Sequence, residues 1–277
     1  MKIKLIAADL DGTTLRTDKT VSRRTVSAIR AARDRGCLFV PATGRIAKMM
    51  PKQLLAIPGI RYAVTSNGAA VRDFETGSVL FANLMSMESS NKIVRLISET
   101  GLLAEAYCEG LSYADRDALG RLRKLNPPEE VLRYVLESQS FVDDLPGFIA
   151  ARNVPLEKIN VPYVPDEMRG GLYRKLGAMK EYCVYSSSFV NLEVNAAGCS
   201  KGNALRRLCA LWNIDPSQVM AVGDSDNDAS MLRLAGLSVA MGNAEDGILS
   251  LADYKTETND KDGVARAIEK FVLSSGS

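Results

Sequence analysis

The sequence predicts an α/β fold: a mostly parallel sheet with helices on both faces, split by an inserted α+β domain. Three observations predict it. Short apolar runs alternate with segments of helical period at both ends of the chain. The texture changes near Leu84 and reverts after Phe189. Between those points lie seven of the nine tyrosines and the pair Pro127-Pro128.

Each element follows from local pattern. Ile3–Ala8 is an apolar run closed by Asp9 and reads as a buried strand. Over 22–35, Val26, Ile29, Ala32 and Arg33 fit a 3.6-residue period, and Gly36 stops the helix. Cys37–Ala42 is a second strand, Ile46–Ala56 a helix ahead of Pro58-Gly59, and Tyr62–Ser66 a third strand. Val71–Phe74 and Val79–Ala82 flank Glu75-Thr76-Gly77, a hairpin signal. In the middle region, strands are expected at 103–108, 159–163 and 182–186, and helices at 89–100, 129–138 and 166–177. The first pattern then returns. Strands are expected at 189–194, 218–222 and 238–241, and helices at 201–212, 226–235, 244–251 and 263–273.

Composition narrows the chemistry. The 277 residues include no histidine, which excludes a Ser-His-Asp triad, a Cys-His pair, an imidazole base and His metal ligands within one chain. Acid–base work then falls to carboxylates, Lys, Tyr, Cys or metal-bound water. Lys plus Arg is 35 and Asp plus Glu is 33, a formal charge of +2 that argues against a nucleic-acid footprint. No apolar run reaches the roughly 20 residues of a membrane span. The opening MKIKLIAADLDG is too short in its apolar part for a signal peptide, so a cytoplasmic protein is expected. The five scattered cysteines include no CxxC and read as free thiols.

Four segments carry chemistry. Asp9 and Asp11 follow the first strand, two apart, so they can share one face, and Gly12 lets the chain turn. Thr43-Gly44-Arg45 follows the second strand and suits an anion. Ser200 is an N-cap candidate with Lys201 at the helix start, where a cation opposes the helix dipole unless an anion compensates. Asp224, Asp226 and Asp228 crowd behind another strand, and the repulsion of Asp224 and Asp228 calls for a divalent cation or a lysine. Each alone is matched by an ordinary turn, cap or solvated surface residue. Together they sit where strand ends gather ligands in open α/β sheets.

DLDGTT, ATGR, the Lys of GCSKGNAL and GDSDND resemble, in order, the four motifs of the haloacid dehalogenase superfamily. The long insertion, Ser66–Ala69 and NLEVNAAGCSKGNAL resemble its type IIB, Cof-like sugar-phosphatase branch. Thr14 stands where many relatives carry Leu. The resemblance implies a Rossmann-like core over 1–84 and 189–277 and a C2B-type α/β cap over 85–188 that reads the substrate, with hinges near 83–85 and 187–190. It implies a Mg²⁺-dependent phosphatase acting on a small phosphorylated metabolite, with no nucleic-acid or membrane partner. Asp9 would be the nucleophile and Asp11 the general acid and base. Asp9, the Asp11 backbone carbonyl and Asp224 would hold Mg²⁺. Thr43, Gly44, Lys201 and Asn227 would hold phosphoryl oxygens, and Asp228 would steer Lys201 or the metal-site waters. Arg45 and Asn67 would touch the substrate.

Charge counting adds a constraint. Asp9, Asp11, Asp224 and Asp228 bring −4, while Mg²⁺ and Lys201 return +3, leaving −1 against a phosphate dianion. Arg45, oriented backbone amides or a protonated Asp11 must make up the difference. Two alternatives stay open at this stage: a phosphosugar mutase and a non-catalytic binding module.

Overall fold

The run Leu-Ile-Ala-Ala of Leu5–Ala8 (β1) is buried at every position, as a central parallel strand requires. The computed structural model describes residues 2–186 and 190–274. Three of the four residues of the second expected hinge, Ser187, Ser188 and Phe189, lie outside them. Further strands before the insertion are β2 (Leu38–Pro41), β3 (Tyr62–Thr65), β4 (Ala70–Asp73) and β5 (Val79–Ala82). In the middle come β6 (Glu105–Cys108), β7 (Leu111–Asp115), β8 (Ser140–Val142), β9 (Lys158–Val161), β10 (Tyr182–Tyr185) and β11 (Leu192–Ala196). The last are β12 (Val219–Gly223), β13 (Leu237–Ala240) and β14 (Tyr254–Lys255).

Two compact units emerge. The first comprises Met1–Arg45, Met50–Ala82 and Ser200–Ser277, the second Ile46–Met49 and Asn83–Cys199. In the first, β14-β13-β12-β1-β2 form a parallel sheet, and β3-β4-β5 a small antiparallel one. Alternate residues of the parallel sheet feed two cores. Ile6, Ala8, Met220 and Val222 pack with Ala28, Ile29 and Ala32 of helix Arg23–Asp34 and with Val264 and Ile268 of helix Gly263–Ile268. Leu5, Ala7, Val219 and Ala221 pack with Ala204, Leu205 and Leu208 of helix Lys201–Trp212. The expected layering of helices on both faces is therefore present. Among the described residues, no helix is long and apolar enough to cross a membrane.

The second unit is a six-stranded sheet ordered β10-β11-β9-β6-β7-β8, mostly antiparallel. Its apolar side packs under helices Met87–Glu99, Leu145–Arg152 and Asp166–Gly177. Its other side carries a buried polar row, Glu105, Asn160 and Glu193, in register across β6, β9 and β11.

The structure corrects three expectations. The strand expected over 189–194 is β11, which pairs with β10 and β9, so the second boundary falls at Cys199/Ser200 rather than 188/189 and the first at Ala82/Asn83. Sequence pattern alone identifies a strand but not its partners. The helix expected over 46–56 breaks into a 3₁₀ turn, Ala47–Met49, and a short helix, Lys52–Leu55, because Pro51 has no N–H to donate and forces its predecessor out of helical geometry. The helix expected over 226–235 begins as a 3₁₀ turn, Asp226–Asp228, and becomes α-helical only at Ala229–Leu232. Strands β7 and β8 and helices Arg116–Lys124 and Leu145–Arg152 were not expected.

Glu105 supplies a prediction. Its Oε2 accepts hydrogen bonds from the Tyr107 hydroxyl (2.6 Å) and Asn160 Nδ2 (2.6 Å), while Oε1 is buried without a partner. Burial raises its carboxyl to about 7, overriding those bonds and nearby Lys158. An acid that binds its proton more tightly when folded stabilises the fold most below its unfolded value. That stability is lost as pH rises through about 7. Glu105→Gln is expected to flatten the loss, on the order of 3 kcal/mol, between roughly pH 4.5 and 7. Thermal unfolding of both proteins across that range measures it; parallel curves would contradict the assignment.

Candidate active site

The site is built from ends of parallel strands. Asp9 directly follows β1, and its N–H donates to Val222 O (3.0 Å), extending the ladder with β12 by one rung. The chain then turns back. Thr14 closes that turn by donating both its hydroxyl (2.6 Å) and its N–H (3.1 Å) to the Asp9 carbonyl. Thr14 is thus a buried tie that fixes the Asp9 peptide. Gly12 sits at φ +77°, and a Cβ there would strike the Asp224 carboxylate, so both its backbone and its bareness are used.

Lys201 is the centre. It opens helix Lys201–Trp212 behind the N-cap Ser200, whose hydroxyl accepts from Asn203 N (3.1 Å). Its ammonium is fully buried and donates to Asp9 Oδ1 (2.7 Å), Asp228 Oδ1 (2.6 Å) and Asn227 Oδ1 (3.2 Å). Burial disfavours that charge, but Asp228 and Asp9 more than offset it, and the ammonium binds its proton more tightly than a free lysine. For Asp9, burial dominates: despite Lys201, its carboxyl is raised well above the ordinary range, with Asp228 and Asp224 adding to the rise.

Asp228 is used completely. Besides Lys201, its Oδ2 accepts from Asp224 N (2.9 Å) and Ser225 N (3.2 Å). Those bonds fold the loop after β12 into the observed 3₁₀ turn. Asp224 accepts from the Thr13 hydroxyl at Oδ1 (2.5 Å). Burial, then Asp228, pushes its carboxyl up to about 7.

Thr43 extends from β2, its N–H on Val64 O (2.9 Å), and its hydroxyl accepts from Arg45 N (3.1 Å). Gly44 follows, half-buried, in the bend. Ser66, Asn67 and Gly68 are consecutive residues of positive φ, at 51°, 58° and 98°. A Cβ on Gly68 would strike the Ser200 carbonyl, so this strained loop sits close against the start of the Lys201 helix. It brings Asn67 Oδ1 to Asn227 Nδ2 (3.2 Å).

Asp11 lies apart from the acids. Arg45 grips its carboxylate side-on, Nε to Oδ2 (2.7 Å) and the terminal nitrogen to Oδ1 (2.7 Å), and Lys19 Nζ adds a third bond to Oδ1 (2.9 Å). Burial alone would raise its carboxyl, but these two cations hold it down to about 2. The protonated Asp11 offered by charge counting is therefore not its state here; Arg45 supplies the missing positive charge instead, while Lys19 is engaged on Asp11 Oδ1 alone. Sequence reading missed Lys19, which lies in no motif. Its distance in sequence from Asp11 is only eight residues, but the turn that folds it back was not recognised.

The donor set suits a hard divalent cation. Asp9, Asp224 and Asp228 each offer a carboxylate oxygen, all within 4.8 Å of one another. If all three were ionised, the Lys201 ammonium would leave −2, the charge that a bound divalent cation would offset. Asp228 is already spent on Lys201 and two amides. Among the described residues, no hydrogen bond reaches Oδ2 of Asp9 or Asp224. Asp9 and Asp224, both expected as metal ligands, lie in the acid cluster with Asp228, expected beside them; the Asp11 side chain, of which only the backbone carbonyl was expected to reach the metal, is outside it.

Lys201→Met would leave Asp9 and Asp228 buried without their shared cation. A stability loss of about 3–5 kcal/mol is expected near neutral pH, shrinking in acid as Asp9 takes up a proton. Denaturant unfolding at two pH values checks this; an equal loss at both would sink it.

Comparison with known proteins identifies the family. The family model of haloacid dehalogenase-like hydrolases matches residues 6–268. Phosphatase YwpJ of Bacillus subtilis is 30% identical, the match spanning 98% of this chain and 100% of that protein. The 5-amino-6-(5-phospho-D-ribitylamino)uracil phosphatase YcsE of the same organism is also 30% identical, over 98% of this chain and 96% of its own. A solved haloacid dehalogenase-like hydrolase from B. subtilis superposes with a TM-score of 0.83 at 29% identity, covering 98% of this chain and 100% of that one. The non-catalytic alternative falls with these matches: the chain belongs to the haloacid dehalogenase-like hydrolase family and is a phosphatase.

Proposed function

We propose that this phosphatase is Mg²⁺-dependent and hydrolyses small phosphomonoesters, sugar phosphates or related metabolites, through a phosphoryl group carried on Asp9. The observation that carries the reading is Lys201, buried between Asp9 and Asp228 with Asp224 alongside in the acid cluster. Such an arrangement keeps one Asp9 oxygen occupied and the other available. The YcsE name supports a hydroxyl-rich leaving group, since that relative acts on a phosphate borne by a ribityl chain.

Asp9 and Asp224, with the Asp11 backbone carbonyl, would hold Mg²⁺, which supplies positive charge where a phosphate dianion must approach a carboxylate. Lys201 fixes Asp9 through Oδ1, so Oδ2 is the attacking atom. Thr43 and Asn227 would donate to the phosphoryl oxygens from fixed positions, and Lys201 would join them by exchanging its longer bond to Asn227 Oδ1 for one to the phosphate. The incoming dianion competes with Asp11 for Arg45. Once Arg45 turns to the phosphate, Asp11 Oδ2 is released, binds a proton more readily, and passes it to the leaving oxygen. The resulting carboxylate then takes a proton from the water that attacks phosphorus and frees Asp9.

The test is Mg²⁺-dependent phosphate release from a phosphomonoester panel, with Asp9→Asn as the blank. Release without added Mg²⁺ in the presence of a chelator, or release by Asp9→Asn, would overturn it. Asp11→Asn is expected to reduce turnover of alkyl phosphates by about 10²-fold or more. p-Nitrophenyl phosphate, whose leaving oxygen hardly needs a proton, is expected to suffer much less. Equal losses on both substrates would remove Asp11 from the proton-transfer role.

A further inference from the structure

Lys19 is held in a conformation that suits it poorly. Its φ is +65°, a region that favours glycine over an L residue with a long side chain. The surrounding turn maintains this position with a dense set of bonds. Lys19 N donates to Arg16 O (2.9 Å), Arg16 N to Thr20 O (2.9 Å), and Gln53 Nε2 to Lys19 O (2.8 Å). Asp18 Oδ1 accepts both the N–H (2.9 Å) and the hydroxyl (2.6 Å) of Thr20. The product of this arrangement is one contact, Lys19 Nζ on Asp11 Oδ1. With the Lys19 side chain 64% exposed, an ion pair of this kind adds little to stability, so stability does not explain a lysine there. A glycine would suit the backbone better.

The geometry of the three bonds to Asp11 separates two roles. Arg45 spans both carboxylate oxygens, and Lys19 touches only Oδ1. We propose that Lys19 is a positioning residue for Asp11, tethering Oδ1 when Arg45 turns to the substrate phosphate, so that Oδ2 stays aimed for proton transfer. With Arg45 gone, Lys19 is the side chain among the described residues that still holds the Asp11 carboxylate. This role rests on the reading of Asp11 as the proton donor. It differs from a direct part in phosphate binding, which would act on every substrate alike.

The test uses the full chain with Mg²⁺ and compares wild type, Lys19→Gly, Lys19→Arg and Asp11→Asn. Substrates are p-nitrophenyl phosphate and the alkyl phosphomonoester that the wild type turns over best, with inorganic phosphate as inhibitor. For Lys19→Gly, kcat on the alkyl ester is expected to fall about 10-fold, the scale of a displaced catalytic group. Turnover of p-nitrophenyl phosphate falls less than about 2-fold, inhibition by phosphate is unchanged, and the melting temperature is equal or higher because glycine fits the backbone. Lys19→Arg, which keeps a cation of similar reach, restores most of the alkyl-ester activity. Equal loss on both substrates, weakened phosphate inhibition, a melting temperature that falls with activity, or no loss at all would each overturn the proposal. If the wild type releases no phosphate, or Asp11→Asn loses nothing on the alkyl ester, the phosphatase reading of Asp11 has failed first. With those two controls intact, the Lys19 variants alone decide.

Discussion

The site depends on one buried ammonium. Lys201 has no exposed surface, and removing such a charge from water costs several kcal/mol unless close partners replace the solvent. Its partners come from distant parts of the chain: Asp9 at the end of β1, Asn227 and Asp228 beyond β12. Each partner carries a further constraint. Asp228 binds two amides of its own loop, which fixes Asp224; Asp224 takes the Thr13 hydroxyl, which fixes the turn after Asp9. The network therefore closes on itself through Lys201. Buried ion clusters of this kind are weak contributors to stability compared with apolar packing. Its survival in the interior is better explained by what it positions.

Environment, rather than residue type, separates the acids. Asp11 is pulled down to about 2, because two cations outweigh its burial. Asp224 is pushed up to about 7 by burial and Asp228, and Asp9 also rises. Such divergence among like groups is how a site obtains different proton affinities from one side-chain chemistry. A chain without histidine must obtain them this way, since no other side chain here has an unperturbed value near neutrality. The near-zero net charge conceals the arrangement: the charges that matter are a handful at the strand ends.

What was legible in the sequence follows the range of the forces involved. β1 and β12 were readable because burial on both faces demands continuous apolar residues, and the motif acids directly follow them. The start of the Lys201 helix was readable from its N-cap. β11 was readable as a strand, but its sheet was not, because pairing partners are chosen by tertiary contacts. The 46–56 segment does not form one helix because Pro51 breaks it, a local signal that the sequence carries. Lys19 was not readable as a site residue. Its importance comes from a left-handed turn at a lysine, which runs against propensity and leaves no pattern.

Three of the eight left-handed non-glycine residues among those described lie at the site. Lys19, Ser66 and Asn67 all have positive φ, and all lie in loops that touch Asp11, Asn227 or the start of the Lys201 helix. Left-handed residues and buried charges both raise the energy of the folded state, by roughly 1–3 kcal/mol for each strained residue. They persist only where surrounding structure over-determines them. Here that structure is the parallel sheet, whose strands are packed on both faces and cannot shift register without exposing apolar side chains. Stiff strands and strained loops are thus two parts of one arrangement. The sheet supplies the rigidity, and the loops use it to hold carboxylates and cations at separations that a relaxed chain would not keep.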